Sequence, residues 1–187
     1  MMKPYTVLPK RQSTKIKDYD YSTAGAYFVT VCTRDRMPFL SEIVRTDATA
    51  VDGTLHISVG EGLAPPAVPA CAVHLKPCGK IAAEQLLLLE SRYPTVTIDA
   101  FIIMPDHIHA IIVIHKNPEC AAPSLNQIIG AFKSLTTRIC HRQYGIETIF
   151  QRSYADHIIR NREDYETRRK YLYENPVRWY YKHLENK

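Results

Sequence analysis

The sequence lacks the features of a disulfide-bonded, zinc-ribbon or membrane-spanning protein. Its five cysteines are odd in number, and none forms a CxxC pair, which disfavours both a disulfide framework and a zinc ribbon. No stretch approaches the roughly 18 consecutive apolar residues that a membrane-spanning helix needs. The N-terminus is basic and polar and has no apolar signal core behind it. We therefore expect a cytoplasmic protein without membrane association.

Positive charge is concentrated in the last third of the chain. Residues 1–130 carry 12 Lys/Arg and 12 Asp/Glu, which cancel, whereas residues 131–187 carry 12 Lys/Arg and 7 Asp/Glu, so 12 − 7 accounts for the whole net charge of +5. Such an asymmetry favours a polyanionic partner. A hydrophobic fraction of 45% in 187 residues is enough for one domain with a real core.

Two segments differ from the rest in composition. Residues 1–20 are polar and basic and are interpreted as an N-terminal arm. Residues 46–70 are rich in Ala, Gly, Pro and Thr without a sustained period, which indicates an inserted flexible loop, with a short strand at 55–59. We expect a single domain over residues 21–187.

The remaining pattern alternates strands and helices. Period-two or continuous apolar runs predict strands, and runs of good helix formers predict helices. The order is strand 26–33, helix 79–91, strands 96–103 and 107–114, helix 124–143, strand 148–159 and helix 161–174. This βαββαβ order predicts an α+β, ferredoxin-like antiparallel sheet with two backing helices, plus a C-terminal helix.

Two local signals sharpen this prediction. The "MPD" between the third and fourth of these elements is typical of a tight turn, so the flanking strands should pair as an antiparallel hairpin. Ser124 with Gln127 three residues later predicts a capping box. Pro176 is expected to move Asn175 away from α-helical geometry, with the residues beyond forming a tail.

The motif "MPDHIHAIIVI" carries the first chemical signal. On a strand, His107 and His109 point to the same face about 7 Å apart, a spacing at which two imidazoles can share a divalent ion. The spacing alone favours the other interpretation, a pair of surface histidines on a sheet with one solvated face.

The second signal lies on the last helix. Tyr171 and Asn175 are four residues apart and therefore lie on one side of it, where a phenol and an amide could act at one site. Tyr171 could also be an ordinary core tyrosine. Tyr173 lies roughly 200° round the helix and is expected to face the core.

Four segments resemble a known family in the right order. They are "DYDYSTAGAYFVTVCTRDR", "MPDHIHAIIVI", "FQRSYADHIIRNREDY" and "YLYENPV". Over nearly its whole length outside residues 46–70, the chain resembles the IS200-like transposases of the HUH endonuclease superfamily, and within them the REP-associated tyrosine transposases. The resemblance implies that His107 and His109 are metal ligands, that Tyr171 is the catalytic tyrosine, and that Asn175 takes the third-ligand place. It also implies the ferredoxin-like fold.

The resemblance further implies a metal-dependent single-stranded DNA endonuclease and strand transferase that forms a 5′-phosphotyrosine intermediate. The cofactor would be Mg²⁺ or Mn²⁺, the substrate hairpin-containing single-stranded DNA, and the assembly a monomer or a homodimer. His157 is expected to make a structural hydrogen bond. Basic side chains in the C-terminal third would contact DNA phosphates: Arg152, Arg160, Arg168 and Arg169.

Two other functions stay open on the sequence. A domesticated relative could bind single-stranded nucleic acid without cleaving it, since the same topology serves RNA-recognition modules. A metal-dependent hydrolase could use water in place of Tyr171 as the nucleophile. These alternatives differ in whether DNA is cut and whether it becomes attached to the protein.

Overall fold

A computed structural model describes residues 19–45, 71–118 and 121–183. The predicted basic arm up to residue 18 and the predicted inserted loop at 46–70, with its short strand at 55–59, lie outside these residues. The described residues form strands β1 to β6 and helices α1 to α3: β1 Gly25–Cys32, β2 Ser41–Arg45, β3 Cys71–Leu75, α1 Pro77–Arg92, β4 Val96–Ile103, β5 His107–Ile114, α2 Leu125–Tyr144, β6 Ala155–Ile159 and α3 Arg162–His183.

Four strands form the central antiparallel sheet, in the order β4-β5-β1-β6. Numbered among themselves along the chain, these strands lie in the order 2-3-1-4, which is the ferredoxin-like arrangement. β4 and β5 pair as an antiparallel hairpin. The predicted fold class and the predicted hairpin are thus confirmed.

One face of this sheet forms the main core. Strand alternation places Ile108, Ala110, Ile112 and Ile114 of β5 on this face, where all are at most 1% exposed. Helices α1 and α2 cover it with their apolar sides. The predicted capping box holds the start of α2, because the Ser124 hydroxyl accepts the Gln127 backbone N–H while the Gln127 side chain accepts the Ser124 N–H.

Helix α3 covers the opposite face of the sheet. Its anchor is Leu172, which is 2% exposed and packs in a small apolar cluster with Phe28, Ala100 and Ile111. These three residues belong to β1, β4 and β5, so α3 crosses the middle of the sheet. This face also carries the odd-numbered side chains of β5, including both histidines of the HxH motif.

Helix α3 is longer than predicted. It continues through Pro176 to His183 instead of ending near residue 174. A proline inside a helix removes one backbone hydrogen bond and is usually disruptive. Here Pro176 is buried, as is Asn175 beside it, and this packing stabilises a helix that local preference would have ended.

Two differences concern strands. β2 and β3 pair as a separate two-stranded sheet that was not predicted, because they lie on either side of the 46–70 segment and pair over a long sequence separation. β6 begins at Ala155 rather than at residue 148. Before it, Phe150 makes a single bridge to Thr33. Within the described ranges, no helix has both the length and the apolar character to cross a membrane.

Candidate active site

The two histidines of β5 lie side by side under α3. The ring centroids of His107 and His109 are 4.6 Å apart and their planes are inclined by 75°. His107 is 9% exposed and His109 is 5% exposed. They are therefore not surface histidines, and a different reason is needed for two imidazoles in an otherwise apolar strand.

His109 has one ring nitrogen satisfied and one that is not. Its Nδ1 lies 2.9 Å from the Thr30 hydroxyl, and its ring stacks on Phe28 at 5.1 Å between centroids. Its Nε2 is buried and has no hydrogen-bond partner among the described residues. Burial, together with the nearby His107 and Arg36, lowers the pKa of His109 to about 3. The imidazole is thus neutral at pH 7, which is the state that binds metals.

His107 is oriented by a carboxylate. Its Nδ1 lies 2.5 Å from Asp106 Oδ1, and the other oxygen of Asp106 lies 3.4 Å from Arg36. Burial raises the pKa of Asp106, but the hydrogen bond from His107 and the charge of Arg36 lower it more, so the net shift is downward. A carboxylate on one ring nitrogen leaves the other for a ligand, as in the carboxylate–histidine–metal arrangement.

Asp106 and Thr30 were missed in the sequence analysis. Asp106 was assigned to the turn alone, although a carboxylate directly before an HxH pair is a signal for an orienting partner. Thr30 could not be found, because its role depends on the β1–β5 register, which pairs it with His109.

Tyr171 lies against His109 of this histidine pair. Its ring centroid is 5.2 Å from that of His109, inclined by 70°, and 6.0 Å from that of Phe28. The Arg178 guanidinium lies 5.9 Å from the same tyrosine ring. Tyr171 is partly exposed, and the contact is made within one chain. A phenol and two imidazoles therefore meet at one site without a second subunit.

Asn175 and Tyr173 take different sides of α3. Asn175 is 6% exposed and lies within continuous helix one turn beyond Tyr171, so the expected departure from α geometry is wrong. Tyr173 is 42% exposed, which corrects the expectation that it faces the core. Because α3 lies on the surface of the sheet, the side of the helix away from Tyr171 faces solvent.

The four candidate phosphate-binding arginines are not gathered in one place. Arg168 lies near the site, with its guanidinium 5.6 Å from the Phe28 ring centroid and 3.2 Å from Asp164. Arg169 is partly buried over the Tyr165 ring at 5.7 Å. Arg152 and Arg160 are exposed and line two other grooves.

His157 makes the structural hydrogen bond that was predicted. Its Nε2 lies 2.7 Å from Asp164 Oδ2, and Asp164 also accepts a hydrogen bond from Arg168. Burial raises the pKa of Asp164, but the hydrogen bonds from His157, the Arg160 backbone N–H and Arg168 lower it more. This network fixes the start of α3 against β6.

The chemistry of the donors fits one divalent ion bound by few protein ligands. No group of three or more His, Cys, Asp or Glu side chains suited to a metal occurs in the described part of the chain. A metal here would rely on two imidazoles and, in the predicted set, the Asn175 amide. The buried and unpartnered His109 Nε2 is the observation that favours such a ligand, because an unpaired buried polar atom is costly.

The fold and the site together define an α+β protein with a histidine pair on its sheet and a tyrosine on the covering helix. Among solved structures, a REP-associated tyrosine transposase bound to a REP hairpin superposes with a TM-score of 0.54 over 88% of this chain and 73% of that chain, at 18% identity. The IS200-like, REP-associated transposase fold recognised from the sequence is therefore confirmed.

Two further similarities are more distant or less informative. A candidate transposase from Deinococcus radiodurans R1 superposes with a TM-score of 0.45 over 87% of this chain and 96% of that chain, at 14% identity. An uncharacterised protein of Haemophilus influenzae is 24% identical over 186 residues, covering 90% of this chain and 89% of the relative. No family model matches the sequence.

Proposed function

We propose that this protein is a metal-dependent endonuclease and strand transferase for single-stranded DNA, with Tyr171 as its nucleophile. The contact between Tyr171 and His109, at 5.2 Å between ring centroids, carries the proposal. It brings the phenol of a C-terminal helix to the imidazole pair of a strand that lies more than 60 residues earlier in the chain.

In the proposed reaction, Tyr171 loses its phenolic proton and attacks the scissile phosphorus. The new bond joins the tyrosine oxygen to phosphorus, and the bond from phosphorus to the 3′ oxygen breaks. The leaving oxygen takes up one proton, which balances the proton lost by the phenol, so the products are a 5′-phosphotyrosine and a free 3′-OH. The energy of the phosphodiester is kept in the covalent link, so a 3′-OH can reverse the step and join strands without ATP.

The surrounding residues have defined tasks in this scheme. His107, His109 and Asn175 would hold Mg²⁺ or Mn²⁺, which supplies charge stabilisation at the scissile phosphate and the leaving oxygen. Asp106 and Thr30 orient the two imidazoles through their Nδ1 atoms.

Arg168 would contact a backbone phosphate at the site; the support is that its guanidinium lies over the Phe28 ring, which also contacts Tyr171. Its guanidinium already pairs with Asp164, which holds it in place. Arg169, held over Tyr165, would contact the strand less directly.

The structure favours this function over an RNA-recognition type of binding module. Such modules stack bases on an open sheet face, whereas α3 covers that face here through Leu172, Phe28 and Ile111. The opposite face is covered by α1 and α2. No open aromatic platform remains on the described part of the sheet.

The proposed substrate is single-stranded DNA that contains a hairpin. Its support is the sequence resemblance, together with the fold match to a transposase bound to a REP hairpin. Because Tyr171 contacts the histidine of its own chain, we propose that one chain is enough to form the site. We also propose that residues 1–20 and 46–70 are appendages to this single domain.

The test is attachment of labelled hairpin DNA to the protein on denaturing gels, with Mg²⁺ or Mn²⁺ present. Tyr171→Phe should abolish the adduct while preserving DNA binding. Tyr173→Phe is the matched control, since this exposed tyrosine two residues away should keep full adduct formation. An adduct that persists in Tyr171→Phe contradicts the assignment of the nucleophile.

The same gels separate the alternatives. Uncut DNA bound by the native protein would indicate a domesticated binder, and cut DNA without attachment would indicate a hydrolase. The double variant His107→Ala, His109→Ala should fold but form no adduct. Full adduct formation by it would remove the metal argument.

A further inference from the structure

A groove of about 420 Å³ lies on the other side of the sheet from α3, between α2 and residues 147–152. Most of the residues that line it have polar or charged side chains, among them Lys133, Thr137, Arg138, His141, Glu147 and Arg152. The main-core contacts of α2 do not use these charged groups.

The charge of this groove is positive. Lys133, Arg138 and Arg152 supply three cations and Glu147 one carboxylate, so these four side chains give 3 − 1 = +2. Within the described ranges, no carboxylate lies within ion-pairing distance of these three cations, whereas Arg168 and Arg178 on α3 are both paired. Unpaired cations that converge on a concave surface favour an anionic ligand.

Lys133 shapes one wall of the groove. Its ammonium is partly buried and donates to the backbone carbonyls of Gln151 and Arg152, the latter at 2.8 Å. The two bonds hold the chain just before β6 against α2. They also place Arg152 and Arg138 on the same groove.

The same segment connects the groove to the candidate active site. The Gln151 N–H donates to the Cys32 carbonyl at 2.9 Å, and the Arg34 N–H donates to the Ile149 carbonyl at 2.8 Å. Cys32 is paired with His107 in the β1–β5 register. One strand therefore separates the groove wall from the first of the two imidazoles.

We propose that this groove holds backbone phosphates of single-stranded DNA where the strand leaves the active site at the His107 end. The substrate class rests on the proposed function. A strand that is cleaved beside His107 must continue past this end of the sheet, and the groove there carries three cations without a carboxylate partner among the described residues. We expect the groove to bind a single strand rather than a duplex, because the segment that contains the scissile phosphate is single-stranded.

The test compares salt dependence of binding to an oligothymidine of about 20 nucleotides, a sequence-neutral single strand. Each phosphate contact adds about 0.7 to the slope of log affinity against log salt for single strands. The double variant Arg138→Gln, Arg152→Gln should therefore lower that slope by about 1.4. Both side chains are exposed, so the fold should survive, and Lys133 is left intact because it holds the groove wall.

The matched control is Lys80→Gln with Arg92→Gln on α1, which removes the same charge from two exposed positions outside the groove. Its slope should equal that of the native protein. An equal change in both double variants, or none in the groove variant, overturns the proposal. The proposal is also overturned if the native protein does not bind the oligothymidine. The same holds if the groove variant changes the salt slope only for a hairpin duplex without single-stranded flanks.

This result is independent of the DNA attachment assay. If the native protein forms the adduct but the groove variant has an unchanged salt slope, the proposed groove site is wrong and the proposed nuclease activity stands. If no adduct forms but the groove variant shows the expected change in slope, the proposed nuclease activity is wrong and the groove remains a single-strand binding site.

Discussion

Leu172 is the side chain through which the docking of α3 on the sheet can be tested separately from the chemistry proposed for Tyr171. It lies next to Tyr171, is 2% exposed, and packs in a cluster with Phe28, Ala100 and Ile111. Leu172→Ala removes three carbons, about 2.4 kcal/mol of burial at 0.8 kcal/mol per carbon. The cavity left behind adds to this, so we expect a cost of about 3 kcal/mol.

The cost should fall on α3 rather than on the whole protein. Leu172 takes no part in the larger core under α1 and α2, so its loss weakens the docking of α3 on the sheet. Amide hydrogen exchange should become faster in α3 while β5 and α2 stay protected. If the full 3 kcal/mol is lost from the free energy that docks α3 on the sheet, the population of the docked state falls. The rate of adduct formation then falls with it, by up to about a hundredfold.

Leu87→Ala is the control, because this leucine on α1 is 52% exposed. Its substitution should change stability by no more than about 0.5 kcal/mol. Unchanged exchange in α3 of Leu172→Ala, or uniform loss of protection over the whole protein, would refute the docking argument.

Two further predictions concern the ties of α3 to the sheet. The Tyr165 hydroxyl donates to Asp99 at 2.8 Å; Tyr165→Phe should cost about 0.5–1.5 kcal/mol in chemical denaturation, and Tyr180→Phe, on the same helix, should cost less. Equal losses in the two variants would contradict a specific tie. The lowered pKa of Asp164 means that its contribution to stability is present above its ordinary pKa and is lost as pH falls through the folded value. Native protein should therefore lose more stability than Asp164→Asn between about pH 5 and pH 3, and parallel losses in denaturation curves would count against this linkage.

The parts of the fold that could be predicted are those set by local pattern. Strict alternation placed His107 and His109 on one face of β5, and the four-residue spacing placed Tyr171 and Asn175 on one side of α3. The capping box gave the start of α2 because Ser124 and Gln127 act on neighbouring backbone groups. Each of these features depends on residues close together in the chain.

The parts that could not be predicted depend on contacts between distant segments. Pro176 remains helical because it is buried in the folded protein, and Tyr173 is exposed because of how α3 lies on the sheet. The contact of Tyr171 with His109 depends on docking across more than 60 residues. No local sequence pattern predicts this contact between Tyr171 and His109.

The most direct test of the central claim is to locate the DNA on the protein. The covalent adduct, trimmed with nuclease and digested with protease, should give one modified peptide that carries a nucleotide on Tyr171, as read by mass spectrometry. A nucleotide on Tyr173, Tyr154 or any other side chain of the native protein would contradict the account of a phenol delivered to the His107–His109 pair.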